Sequence, residues 1–170
     1  MPEKQPNPNT DDALELLIAD HRAVERLFTA FKEAKEDDLE AKATLAQRAC
    51  EELTIHTIIE EELLYPAAAE ALPSGDVVDV EEAYVEHFLV KTLISKFETL
   101  KAGDKGFDAT FKVMSEMVQH HVEEEENELF PELRKANLNV KGLGQKIAQR
   151  KMELQGKLDA VGSRAVGDKT

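Results

Sequence analysis

The chain has 170 residues, a net charge of −14, one cysteine and no tryptophan. That length allows one domain with a substantial core. The acidic balance argues against a nucleic-acid partner, since phosphate binding needs clustered Lys and Arg, and a single cysteine excludes an intrachain disulfide and a cysteine-only metal site.

Glycine is scarce, with 8 residues, while Ala, Glu, Leu and Lys dominate, which predicts an all-α protein with a mostly aliphatic core. Residues 1–11 read as a polar, proline-rich, flexible tail. The start lacks the apolar stretch of a secretory signal, and no run approaches about 18 apolar residues, so a cytoplasmic protein with no membrane span is expected. Thr10 to Asp12 are good N-cap types for a first helix running to about Glu36, with an apolar stripe of Leu14, Leu17, Val24, Phe28 and Phe31. His21 sits within that stripe. Asp37-Asp38 makes a turn. A second helix runs from about Leu39 past Leu64, where Pro66 should kink or interrupt it. Its inward set includes Leu45, Ala49, Leu53, His56, Glu60, Leu63 and Ala67; Cys50 is rotated away from His56 and reads as a small packed side chain.

Pro73-Ser74-Gly75-Asp76 is a loop ending in an N-cap. The third helix spans about Val77 to Leu100, with Val80, Tyr84, His87, Ile94 and Phe97 inward. After a turn at Gly103 to Gly106, the fourth spans about Phe107 to Ala136, with Phe111, Met114, Val118, His121, Glu125 and Leu129 inward. Asn137-Leu138-Asn139 ends it. A fifth amphipathic helix, about Val140 to Val161, is richer in Lys and Arg, and Gly162 to Thr170 read as a frayed end. Short turns predict an up-down-up-down four-helix bundle over residues 12–136, followed by an additional C-terminal helix and tail over 137–170.

One segment occurs twice. His56-Thr57-Ile58-Ile59-Glu60-Glu61-Glu62-Leu63-Leu64-Tyr65-Pro66 returns as His121-Val122-Glu123-Glu124-Glu125-Glu126-Asn127-Glu128-Leu129-Phe130-Pro131, shifted by 65 positions (121 − 56). Asp20-His21 answers to Glu86-His87, 66 positions on (87 − 21). Each pair of histidines stands at a similar distance from its intervening turn, so all four can share one layer of the core. Glu60 and Glu125 follow their histidines by four residues and share their face. A carboxylate buried among aliphatic residues costs several kcal/mol unless it is paired or ligates a metal. Four imidazoles and two carboxylates at one level are what a two-metal site needs. Mixed N/O ligation favours iron, with manganese and zinc less suited.

Glu61 and Glu126 fall about 140° from the histidines and should face solvent or make outer contacts. The run Glu123 to Glu126 otherwise reads as a solvated helix face. His120 is rotated about 100° from His121 and has no counterpart in the repeat, so it is not counted as a ligand. Tyr84 is expected at the histidine layer, as a core tyrosine, a hydrogen-bond donor or a phenolate ligand. Asp20 and Glu86, beside the histidines, are candidates for orienting neighbouring imidazoles.

These residues resemble a hemerythrin-like HHE cation-binding domain over about residues 12–136: Asp20-His21, His56-x-x-x-Glu60, Glu86-His87, His121-x-x-x-Glu125 and the following Leu-[Tyr/Phe]-Pro. The resemblance implies a four-helix bundle around two iron ions with an oxo or hydroxo bridge and two bridging carboxylates. It implies ligation by His21, His56, Glu60, His87, His121 and Glu125, and small-molecule partners such as oxygen, peroxide or nitric oxide. Oxygen carriers of the family have H-x-x-x-H on the third helix and H-x-x-x-x-D on the fourth; here Lys91 and Glu126 stand at those places. The near-symmetric set is therefore closer to the HHE branch than to respiratory carriers. An iron or redox sensor or reservoir, signalling through metal-dependent stability, is the alternative; a metal-free helical interaction module is the third.

Overall fold

The computed structural model describes residues 11–73 and 77–167. The expected tail before Asp11, the capping Asp76 and residues 168–170 lie outside the described residues. Among the described residues every regular element is helical, and no helix is long and apolar enough to cross a membrane.

Helix α1 spans Ala13–Glu33. The Asp12 side chain accepts from the backbone N–H of Leu14 and Glu15, capping the orphan donors of its first turn. The helix ends before the expected Glu36 because Ala34 is extended, at ψ 141°. Asp38 caps α2, Leu39–Ile59, by accepting from Ala41 N–H. A five-residue π turn, Glu60–Leu64, leads into α3, Tyr65–Ala71. Helix α4 is Val77–Phe97 and α5 is Phe107–Glu124. A second π turn, Glu125–Leu129, leads into α6, Phe130–Lys135, and α7 runs Val140–Gly167, past the expected end at Val161. Helices α1 and α2 pack as one hairpin, α4 and α5 as the other, and α7 lies along α1 and α2.

The two π turns replace the expected break at Pro66. Proline has no N–H to donate into an α-helical ladder. The turn before each proline widens instead: Tyr65 N–H donates to Glu60 O, and Phe130 N–H to Glu125 O, each five residues back. The chain stays helical, and each proline sits in the first turn of the next segment, where a missing donor costs nothing. The extra residue in each π turn rotates everything beyond it by about 100° relative to an unbroken α-helix.

The core is divided. One apolar cluster holds Leu14, Leu17, Ile59, Leu64, Phe130, Leu133 and Ile147. The other holds Val24, Phe28, Leu53, Phe111, Met114 and Val118, closed off by Phe31 stacked on Phe111 at 3.8 Å. Between them lies a polar layer on α1, α2, α4 and α5.

Helix α7 docks through a glycine. A Cβ on Gly144 would lie 1.8 Å from the backbone oxygen of Asp11, whereas one on Gly156 would meet nothing within 4 Å. Gly156→Ala should therefore raise stability by about 0.5–1 kcal/mol, the usual gain from removing glycine from a helix. Gly144→Ala should lower it by on the order of 1–3 kcal/mol through backbone overlap. Urea unfolding of the two variants checks the opposite signs.

Candidate metal centre

His21, His56, His87 and His121 are all buried in the polar layer, with Glu60 and Glu125. They form two groups. The Nε2 atoms of His21 and His56 are 3.1 Å apart, as are those of His87 and His121. Glu60 divides between them: Oε1 is 3.1 Å from His56 Nε2, and Oε2 is 3.2 Å from His87 Nε2. Glu125 does likewise, with Oε2 3.3 Å from His21 Nε2 and Oε1 3.5 Å from His121 Nε2. Each histidine pair thus faces one oxygen from each carboxylate, the arrangement of two cation positions bridged by two glutamates.

The outward nitrogens face carboxylates. His21 Nδ1 is 2.7 Å from Glu126, His87 Nδ1 is 3.1 Å from Glu61, and His121 Nδ1 is 2.6 Å from Glu86. Such partners fix the ring and turn Nε2 inward as the donor. Glu61 and Glu126 therefore make the outer contacts that their rotation allowed. Each reaches across to the other hairpin. Asp20, the counterpart of Glu86, is 3.8 Å from His56 Nδ1, too far for a hydrogen bond. Lys151 of α7 engages Asp20 instead.

Tyr84 is not in this layer. It is 40% exposed, and its hydroxyl reaches the backbone oxygen of Glu61. The tyrosine at the centre is Tyr65, fully buried, which sequence reasoning missed. Its hydroxyl lies 2.8 Å from Glu125 Oε1, 3.1 Å from His87 Nε2, 3.3 Å from Glu60 Oε2 and 3.4 Å from His121 Nε2. On an unbroken α-helix Tyr65 would lie about 180° from His56; the π turn swings it inward. The available signal was the repeat itself, which pairs Tyr65 with Phe130. His120 is exposed and meets Glu124 and Glu86 at the surface, outside the buried layer.

The buried charges set one another. Burial opposes charge on His56, but Glu60 and Asp20 outweigh it and lift its pKa to about 10. His121 is held well above the usual imidazole value, burial being overcome by Glu125, Glu60 and Glu86. His21 is raised, burial being overcome by Glu125 and Glu126. Burial pushes Glu60 up, yet its histidine neighbours, His56 first, hold it well below the carboxylate range. Tyr65 is pushed far up by burial and by the charges of Glu60 and Glu125.

The residues present fit a dinuclear cation centre. Glu60 Oε1 and Glu125 Oε2 are buried without a hydrogen-bond partner, and both face the His21–His56 pair. Buried unpartnered carboxylate oxygens call for a cation. The donor atoms of His21, His56, Glu60 and Glu125 lie within 4.8 Å of one another, as do those of Glu60, His87 and His121.

A helical bundle with a histidine–carboxylate centre in its core defines the class, and the comparisons agree. The chain belongs to the hemerythrin HHE cation-binding domain family, whose model matches residues 12–133. It is 29% identical over 119 residues to a hemerythrin-like protein of Schizosaccharomyces pombe, covering 70% of this chain and 58% of that one. It is 27% identical over 120 residues to a DNA nickase of Nostoc sp., covering 71% of this chain and 33% of that one. The chain thus spans less than two thirds of either relative's length. Its structure is similar, with a TM-score of 0.72 and 25% identity, to that of a hemerythrin HHE cation-binding domain-containing protein from Mycobacterium kansasii, covering 86% of this chain and 88% of that one.

Two outcomes are expected. Glu60→Ala and Glu125→Ala should lose bound metal, while Glu61→Ala and Glu126→Ala should weaken it by about 10–100-fold, the range for residues that orient ligands; metal content and competition titrations check this. Because the raised histidine pKa values let the metal-free core hold protons at neutral pH, cation uptake should release protons, and affinity should rise with pH up to about 10, where His56 gives up its own. A titration in weak buffer with a pH indicator reads the release.

Proposed function

We propose that the chain is a non-haem di-iron protein that binds or reacts with oxygen, peroxide or nitric oxide, with His21, His56, Glu60, His87, His121 and Glu125 as the metal ligands. What supports this reading most is the division of both carboxylates between the two histidine pairs. Mixed nitrogen and oxygen donors suit iron, with manganese and zinc less suited. Iron, when bound, supplies one-electron redox chemistry and positions for an added ligand.

The chain's own residues define where that ligand meets the centre. A cavity of about 20 Å³ lies against the four histidines, walled by Val24, Leu53, Val90, Val118 and Val122. A water needs about 10–15 Å³, so the space suits one small molecule, and its aliphatic wall favours an uncharged diatomic. Buried histidines and outer carboxylates hold the centre, while the two apolar clusters exclude bulk water. The DNA reaction named for the Nostoc relative is not carried over, since a net charge of −14 opposes phosphate. A cytoplasmic setting is part of the proposal.

A second reading, an iron or redox sensor or reservoir, is favoured by α7. Lys151 pairs with Asp20, and Arg150 forks onto Glu62 at 2.7 and 2.9 Å, so the last helix is tied to residues flanking the centre.

Iron-loaded protein, reduced without air and mixed with oxygen or peroxide in a stopped-flow spectrometer, separates the readings. Rapid oxidation, azide binding or peroxide consumption is expected; no reaction would leave the sensor or reservoir. Val118→Ile, which adds a methylene to the cavity wall, should keep both irons and slow the oxygen reaction on the order of tenfold, about 1.4 kcal/mol of barrier.

A further inference from the structure

The duplication is broken at one buried position. Tyr65 stands where its repeat partner is Phe130, and the π turns bring both rings to the centre. Phe130 stacks beside His21 with ring centroids 6.0 Å apart and offers no donor atom. Tyr65 lies beside His87 and presents its hydroxyl to the donors of that half.

The spacing around that hydroxyl has the form of a coordination shell. Donors about 2.1 Å from one ion are about 3.0 Å apart when adjacent and about 4.2 Å apart when opposite. Around the His87–His121 position, the two Nε2 atoms are 3.1 Å apart, His87 Nε2 to Glu60 Oε2 is 3.2 Å, and His121 Nε2 to Glu125 Oε1 is 3.5 Å. His121 Nε2 to Glu60 Oε2 is 4.0 Å, close to an opposite pair. Tyr65 Oη is 2.8 to 3.4 Å from all four atoms. The Tyr65 oxygen thus stands at adjacent-ligand distance from each of the four donors.

Resting on the di-iron reading, we propose that Tyr65 is a seventh protein ligand, its phenolate oxygen binding the metal of the His87–His121 half alone. That position has five protein donors; the His21–His56 position has four, with the Phe130 ring where a hydroxyl would be. Ligation breaks the phenol O–H bond, forms an oxygen–metal bond and passes the proton to solvent. The two positions are then unequal, and the exchangeable one belongs to the His21–His56 half. In the metal-free chain the hydroxyl proton satisfies Glu125 Oε1 at 2.8 Å, while the carboxylate oxygens facing the other half stay without a partner.

The test uses the full chain loaded with ferric iron. The protein has only two tyrosines, so Tyr84→Phe leaves Tyr65 as the sole phenol. Wild type and Tyr84→Phe should both show a visible phenolate-to-iron charge-transfer band. Its resonance-enhanced ring vibrations should shift when the protein is made with ring-deuterated tyrosine. Tyr65→Phe should lose the band; if that variant also loses iron, the deuterated Tyr84→Phe protein still decides. A Tyr84→Phe protein holding two irons without tyrosinate vibrations overturns this assignment and leaves the di-iron reading standing. A chain that takes up no iron overturns both.

Discussion

Two carboxylates with almost no exposure, set between two apolar clusters, constrain the whole design. An ionised glutamate in such a place is tolerated only if positive charge or hydrogen-bond donors surround it. Glu60 and Glu125 meet that condition through histidines drawn from four helices and through the Tyr65 hydroxyl. The demand fixes the depth of each helix, since α1, α2, α4 and α5 must each deliver a histidine at one level. It also accounts for the divided core, because the helices can pack apolar residues only above and below that level.

The periodic part of this arrangement was legible in the sequence. His21 between Leu17 and Val24, and a glutamate one turn after His56 and after His121, follow from 3.6 residues per turn and place all six side chains in one layer. What periodicity misplaced lies at or beyond the π turns, or on the helix facing them. A constant rotation puts Tyr65 on the far side of its helix; the proline that signals an interruption also changes the rotation. Helical spacing from His87 predicts Tyr84 inward, yet the inward side of α4 at that level is taken by Val80 and Ala83. The outer roles of Glu61 and Glu126 depend on which helix lies opposite, a tertiary fact that no single-helix pattern carries.

The two halves resemble each other in their histidines and carboxylates and differ in their surroundings. Helix α7 lies along α1 and α2, while Val85, Phe88 and Leu89 of α4 stay exposed. On the covered side, Lys151 draws Asp20 to itself, and His56 alone of the four histidines lacks a hydrogen-bonded outer partner. An imidazole without that partner is a weaker electron donor than one with it. The last helix therefore acts on the donor strength of His56 through Asp20.

The crossed contacts, Glu126 to His21 and Glu61 to His87, have a kinetic meaning. Each hairpin contributes two histidines, but a glutamate bridge and an outer carboxylate for each half come from the other hairpin. Parting the hairpins would break both carboxylate divisions and both crossed contacts together, leaving each hairpin with two histidines and one glutamate. A cation held there would keep at most three of these donors once the hairpins part, so its residence would depend on how long the bundle stays shut.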